Sequence, residues 1–450
     1  MSKSTRTISS LSIARLAAHV RIPLYRNAYA LMFSSVTTSA LGMVYWLLAT
    51  RYYSTDAMGV NSAAIAALMF LSGVAGLYLD GVFIRFLPRA GRATGRLVAY
   101  AYAIGAAAGA LVGGIFLVGL ALWSPALGVF SASPWLAIGF VVATVTSCIF
   151  TLQDGVLTGL RQATWVPIEN TIFGVVKIVL LVAFAGAFPR LGIFASWTIP
   201  IVVSLLPVNA LIFGRLIPRH QRATEQIATP VVARQIATYV AGNYLGYLCF
   251  MAYSRLLPVM VIELLGSDAS AHFFMPWLIA SALQLVTINM SQSLIVEGTL
   301  DQAKLRAYAR ESLVHMARLL VPAVAVLALG APLILQLFGK SYAAEGAALL
   351  RLFALAAIPN MVCTLSFGLA RVQRRVGRIV LAQGLLATLV LGLSYALMRD
   401  YGITGVGWAY LVSQCVVAAI LLLTQLRPLI WPSGGQAGSA RRRSEYDIQP

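Results

Sequence analysis

Apolar residues fall along this chain in blocks long enough to cross a bilayer, separated by short stretches that carry the charges, glycines and prolines. A helix needs about 20 apolar residues to span the hydrocarbon. Twelve blocks meet that length, near 28–50, 59–84, 97–122, 134–158, 167–188, 192–214, 236–262, 271–296, 317–338, 346–370, 377–398 and 403–426. The pattern predicts an all-α polytopic membrane protein with twelve transmembrane helices in two six-helix repeats around a central cavity. One stretch stands against the apolar background: "FTLQDGVLTGLRQATW" at 150–165 places Asp154 and Arg161 at the end of the fourth block. A charge inside a span is costly and marks a functional suspect.

Basic residues then set the orientation. With the N-terminus placed inside, 26 of the 33 Lys and Arg fall on that side, and Arg51, Arg190, Lys340 and Arg399 fall outside. Lys177, Arg255 and Arg351 lie within spans. This bias fits both termini in the cytoplasm. It assigns most of the +19 net charge to topology and leaves nucleic acid out as a partner. Composition agrees, with 60% hydrophobic residues, 10% charged residues and a mean hydropathy of +0.84; a soluble protein carries about a quarter charged. The basic first 27 residues lack the core of a cleavable signal peptide. Cys148, Cys249, Cys363 and Cys415 all sit in apolar runs without ligand spacing, and read as free buried thiols. No metal or cofactor is expected. Residues 297–316 read as a surface helix leading into the ninth span, and 427–450 as a disordered cytoplasmic tail.

The chain also repeats itself. "TLQDGVLTGLR" at 151–161 is echoed by "TLSFGLARVQR" at 364–374, an offset of 213. "TDA" at 55–57 matches "SDA" at 267–269, and Trp197 in "GIFASW" matches Trp408 in "GITGVGW". These put a first six-helix lobe at 28–214 and a second at 236–426, joined by a cytoplasmic linker at 215–235 and preceded by a basic segment at 1–27. Repeats of this kind characterise transporters, with the substrate between halves that rock in alternating access.

Several polar residues inside spans could carry a substrate. Thr144, Ser147, Thr151, Asp154, Thr158 and Arg161 form one stripe at i+3, i+4 spacing, readable as cavity lining or as helix packing. Asp154 has no counterpart, since Phe367 takes its place in the second half. Lys177 lies mid-span, with Asn170 on its face, and Arg255 shares a face with Tyr244, Tyr247 and Met251. No carboxylate lies at the depth of either cation. Two readings stand: a site for a phosphate or acidic sugar, or internal pairing such as Lys177 with Asp154. In the eighth span Gln284, Thr287, Asn289, Ser291 and Gln292 suit a hydroxyl-rich ligand or simple interhelical bonding. Asp80 and Asp154 are suspects for proton or ion coupling, against charge balance for Asp80 and partnership for Asp154. Gly105, Gly109 and Gly113 read as a close-packing face. Prolines at 200, 207, 258, 276, 322 and 359 offer bending points.

The first two spans, "IPLYRNAYALMFSSVTTSALGMVYWLLATRYYSTDAMG" and "NSAAIAALMFLSGVAGLYLDGVFIRFLPRAGR", resemble those of the oligosaccharide/polysaccharide flippases of the multidrug/oligosaccharidyl-lipid/polysaccharide exporter superfamily. The resemblance covers roughly 22–427. It implies flipping of polyprenyl-diphosphate-linked oligosaccharides across the bacterial cytoplasmic membrane for surface polysaccharide assembly. It also implies contact with membrane lipid and with other polysaccharide-assembly membrane proteins. A cationic cavity between lobes would make Lys177, Arg255 and, near the mouth, Arg85 the cargo contacts, beside Tyr247, Gln284 and Asn289. Lipid II flippases of the same superfamily carry two further spans. Cation-coupled multidrug exporters bind cargo through membrane carboxylates, which the first span lacks. A membrane enzyme would need acid/base groups on a sizeable loop or domain, and the external loops are short; the chain reads as a transporter rather than an enzyme.

Overall fold

The computed structural model describes residues 23–162, 164–225, 233–300, 305–373 and 375–426, and these are helical with short connections. In order the helices are α1 (Pro23–Tyr52), α2 (Thr55–Ala75), α3 (Leu79–Phe86), α4 (Thr94–Val118), α5 (Pro134–Gly159), α6 (Trp165–Ala187) and α7 (Gly192–Leu211). They continue with α8 (Ile217–Thr224), α9 (Ala233–Leu265), α10 (Ser267–Leu300), α11 (Leu305–Gln336), α12 (Lys340–Val372) and α13 (Val376–Leu421). Ten described helices are long and apolar enough to cross a membrane when α13 is counted once. A break at Gly402, where φ is 54°, divides α13 into two spans. The less apolar α1, with 30 residues, supplies the twelfth. The chain is an all-α polytopic membrane protein of twelve spans in two six-helix repeats. Large apolar side chains are turned outward, among them Val118 at 90% and Leu329 at 82% exposure, which only a lipid solvent makes favourable.

The chain divides into two compact units between Met251 and Ala252, within α9. The N-terminal segment, the tail and part of the expected linker lie outside the described residues. Three expectations change. The second block is not one helix: it breaks after Ala75, and the chain restarts at Leu79 through Leu77 and Tyr78 at positive φ. Residues 297–316 are not a separate surface helix: 297–300 end α10, and 305–316 are the first turns of α11, leading directly into the span. Of the thiols, Cys148 and Cys363 are buried, whereas Cys249 is half-buried and Cys415 exposed; an outward-facing apolar thiol is at home against lipid.

The first unit is knit by close helix crossings. A Cβ on Gly109 would stand 3.2 Å from the Val145 backbone, and Gly105 and Gly113 likewise face Cys148 and Thr144, so the glycine stripe on α4 packs against α5. Gly155 and Gly159 perform the same service on the other side of α5. A Cβ at Gly155 would lie 2.9 Å from the Asp80 backbone and one at Gly159 2.5 Å from the Phe83 carbonyl oxygen, so α3 can approach only because these are glycines. Asn61, fully buried, donates to the Ala57 carbonyl (2.6 Å) and the Arg190 carbonyl (2.8 Å), and accepts from the Phe194 N–H (2.9 Å). This clamps α2 to the start of α7.

The repeat is visible in local geometry. α5 ends in a Schellman closure, with the Gln162 N–H on the Leu157 carbonyl (2.8 Å) and Arg161 at positive φ. α12 ends in the same closure 213 residues later, with the Arg375 N–H on the Ala370 carbonyl (2.8 Å). Gly368, the counterpart of Gly155, meets Ser291 of α10 at a similar crossing. A five-residue π turn follows the last span of each half, Ile212–Leu216 and Leu422–Leu426. Proline stands inside α7, α9, α10, α11 and α12 at the expected positions, with Pro332 in addition.

Candidate functional site

Three polar groupings occupy the first unit. The first surrounds Asp154, half-buried on α5. Asn170 of α6 hydrogen bonds its carboxylate, and Glu169 of α6 stands close enough to interact with it electrostatically. Tyr102 of α4 faces both acids. Glu169 is 6% exposed, and among the described residues neither of its carboxylate oxygens has a hydrogen-bond partner; nor does Asp154 Oδ1 or the Tyr102 hydroxyl. Two carboxylates, one from α5 and one from α6, thus act on each other within the spans. The sequence flagged Asp154 but not Glu169. The available signal was the "EN" pair, a polar dipeptide at the start of an apolar span.

The remaining stripe residues are mainly structural. Thr144 bonds back to the Phe140 carbonyl (2.9 Å) and Thr151 to the Ser147 carbonyl (3.1 Å), which lets hydroxyls sit in an apolar helix. The Ser147 hydroxyl is buried without a partner among the described residues. Arg161 ends the helix, and Arg374 lies outside the described residues.

Lys177 of α6 forms the second grouping. It is 2% exposed, and its Nζ lies 4.0 Å from the ring centroid of Trp197 (α7), 4.9 Å from Tyr45 (α1) and 5.0 Å from Phe173 (α6). No described carboxylate is within ion-pair distance, so the pairing with Asp154 is not made. The ammonium is held by ring faces instead.

The third grouping lies on α3 and the first-unit part of α9, with Asp80 packed against Gly155 of α5. Arg85 on α3 is exposed, and its guanidinium carbon stands 4.7 Å over the ring of Tyr239 and 5.6 Å over that of Phe86. Tyr78, at the turn into α3, contacts the rings of Tyr239 (5.9 Å) and Tyr247 (5.7 Å) from the first-unit part of α9. The Tyr244 hydroxyl donates to the Val74 carbonyl (2.7 Å). Asp80, half-buried beside this cluster, acts electrostatically on Tyr239, as Arg85 does. The result is a group of tyrosines with an exposed guanidinium resting on one of them, Tyr239. Such a surface suits a ligand with sugar rings and phosphate. The turn that creates it was not foreseen, because it depends on α3 docking against Gly155 and Gly159.

In the second unit Arg255 is half-buried. Gln284 Nε2 donates to the Tyr410 hydroxyl (3.0 Å), and the Ser291 hydroxyl donates to the Thr364 carbonyl (3.2 Å). Trp277, Ser281, Gln284, Phe353, Asn360 and Tyr410 line a crevice of about 10 Å³, room for about one water. The Asn289 and Gln292 side chains lie outside the described residues. The polar face of α10 thus serves interhelical bonding where it is described. Among the described residues no group of three or more His, Cys, Asp or Glu could hold a metal.

No family profile and no curated protein matches the chain by sequence. Solved structures do match. An inward-facing multidrug resistance MATE family transporter of the MOP superfamily aligns with a TM-score of 0.65 at 14% identity, over 89% of this chain and 98% of its own. The MATE multidrug transporter DinF-BH, solved with R6G, aligns at 0.65 and 14%, over 91% and 97%. A MOP superfamily transporter from Pyrococcus furiosus, described by a binding pocket of reversed polarity, aligns at 0.62 and 12%, over 90% and 96%. The chain shares their fold over nearly its whole length.

Proposed function

We propose that this protein is a flippase of the superfamily its fold represents. It moves polyprenyl-diphosphate-linked oligosaccharide units across the bacterial cytoplasmic membrane by alternating access, for surface polysaccharide assembly. The observation that carries this reading is the exposed Arg85 guanidinium beside Tyr78, Tyr239 and Tyr247. The tyrosine faces offer platforms for sugar rings, and the guanidinium is a fork for phosphate oxygens. Lys177 adds positive field from within its ring cage. The basic bias of one set of loops supports a cytoplasmic location for both termini and pick-up of cargo there. Working partners are membrane lipid and the other membrane proteins of polysaccharide assembly.

Cells lacking the protein are expected to lose surface glycan and accumulate lipid-linked repeat units in the cytoplasmic leaflet. An unchanged glycan with no such intermediate would overturn the reading. Arg85→Ala is expected to lower flipping about tenfold, the loss of one charge-assisted contact; full complementation by that variant would remove Arg85 from the site.

A second reading is favoured by a separate observation. The half-buried Asp154 and buried Glu169 suit coupling to a cation, and two of the structural neighbours are described as multidrug transporters. Proteoliposomes distinguish the two: cation-driven efflux of a cationic dye, lost in Asp154→Asn, would favour the exporter.

A further inference from the structure

We infer that the rings of Tyr45, Phe173 and Trp197 form a receptor for a small organic monocation, and that its resident is this chain's own Lys177 ammonium. The rings come from α1, α6 and α7, so the cage is a property of the folded unit and not of one helix. It is rigidly built. The Tyr45 hydroxyl donates to the Ile193 carbonyl (2.8 Å) and bonds the Ser196 hydroxyl (2.9 Å), which fixes its ring against α7. Trp197 meets Tyr45 edge-on at 5.5 Å and Phe173 at 6.1 Å, so the ring orientations hold one another. Tyr45 is fully buried and Phe173 7% exposed. Aromatic faces around an ammonium at 4–5 Å are the recognition mode for organic cations, strongest where water is excluded.

The scaffold does not need a charge at this place. At the offset of 213 that relates the halves, Lys177 corresponds to Val390 and Phe173 to Leu386, both completely buried. The same helix position is therefore filled satisfactorily by apolar carbon in the second unit. In the first, a cation has been brought in on a four-carbon tether and surrounded by ring faces without a carboxylate. Because the ligand is covalent, the cage is filled without any cation from solution. The inference does not depend on the cargo proposed above, and its test reads binding and stability, not transport.

The test uses the full-length protein in detergent. Lys177→Ala empties the cage and is expected to lower Tm by about 5 °C or more. Added ethylammonium should recover at least half of that loss in Lys177→Ala, leave the wild type unshifted beyond matched NaCl, and give no recovery in Lys177→Ala/Trp197→Leu. No ethylammonium-specific rise, or an equal rise with 1-propanol, would overturn the inference, the latter by showing an apolar hole and not a cation site. If Lys177→Ala does not fold, Lys177→Met keeps the length without the charge. A wild-type Tm in that variant overturns the inference; a Tm lowered by several degrees upholds it.

Discussion

Where the first half of the chain buries Lys177, the second buries Val390; where the first has Asp154 and Glu169, the second has Phe367 and Ala382; where the first has Asn61, the second has Phe273. The backbone features at these places are nonetheless shared. Both halves close the fourth span with the same Schellman pattern and end the sixth in a π turn. Charge is therefore not what builds the six-helix unit. One half has packed the scaffold with aromatic and aliphatic side chains, as in the cluster of Phe273, Trp277, Phe353 and Tyr410. The other has taken ionic groups into its spans at a cost in desolvation.

The comparison can be broken in a definite order. Installing the first half's charge in the second, as Val390→Lys, places an ammonium where no ring cage exists. It should cost about 3–5 kcal/mol in detergent unfolding, the penalty of an uncompensated buried charge; a loss below 1 kcal/mol would mean that the second unit tolerates charge as well as the first. Asn61→Leu removes the α2–α7 clamp and orphans the Arg190 carbonyl and the Phe194 N–H. A loss of about 2–3 kcal/mol is expected, whereas a stable variant would show that the aromatic solution at Phe273 transfers between halves. Gly159→Val forces α3 off α5 and should cost about 1–3 kcal/mol, with near-neutrality showing that this crossing is loose. The smallest effect has the opposite sign. Glu169→Gln relieves the crowding with Asp154 and should leave stability unchanged or raised by about 1 kcal/mol. Marked destabilisation would instead make Glu169 a structural acid.

Much of this architecture was legible in the apolar pattern. Spans are written in long local runs, and the repeat in short echoes that turn out to be backbone signals: Gly155 and Gly368 mark helix crossings, and the residues after them mark a shared helix end. The polar groups were legible only in part. Lys177 and Asp154 stand out because each interrupts an apolar run. Their partners do not. Tyr45 and Trp197 lie 132 residues before and 20 after Lys177 and look like ordinary span aromatics, and Glu169 reads as a charge near a helix start until α5 and α6 are paired. The Arg85 cluster was hidden for a different reason. Its geometry depends on a break at Leu77 and Tyr78 within what reads as a continuous apolar block, and that break follows from how closely α3 must approach two glycines on another helix.

The paired π turns carry a historical meaning. A π turn arises when one residue is inserted into an α-helix, and such insertions are rare. Finding one at the same point of both halves, Ile212–Leu216 and Leu422–Leu426, dates it most simply to an ancestral six-helix protein, before duplication joined two copies in one chain. Lys177, Asp154 and Glu169, present in one copy only, mark where the two copies have since come to differ.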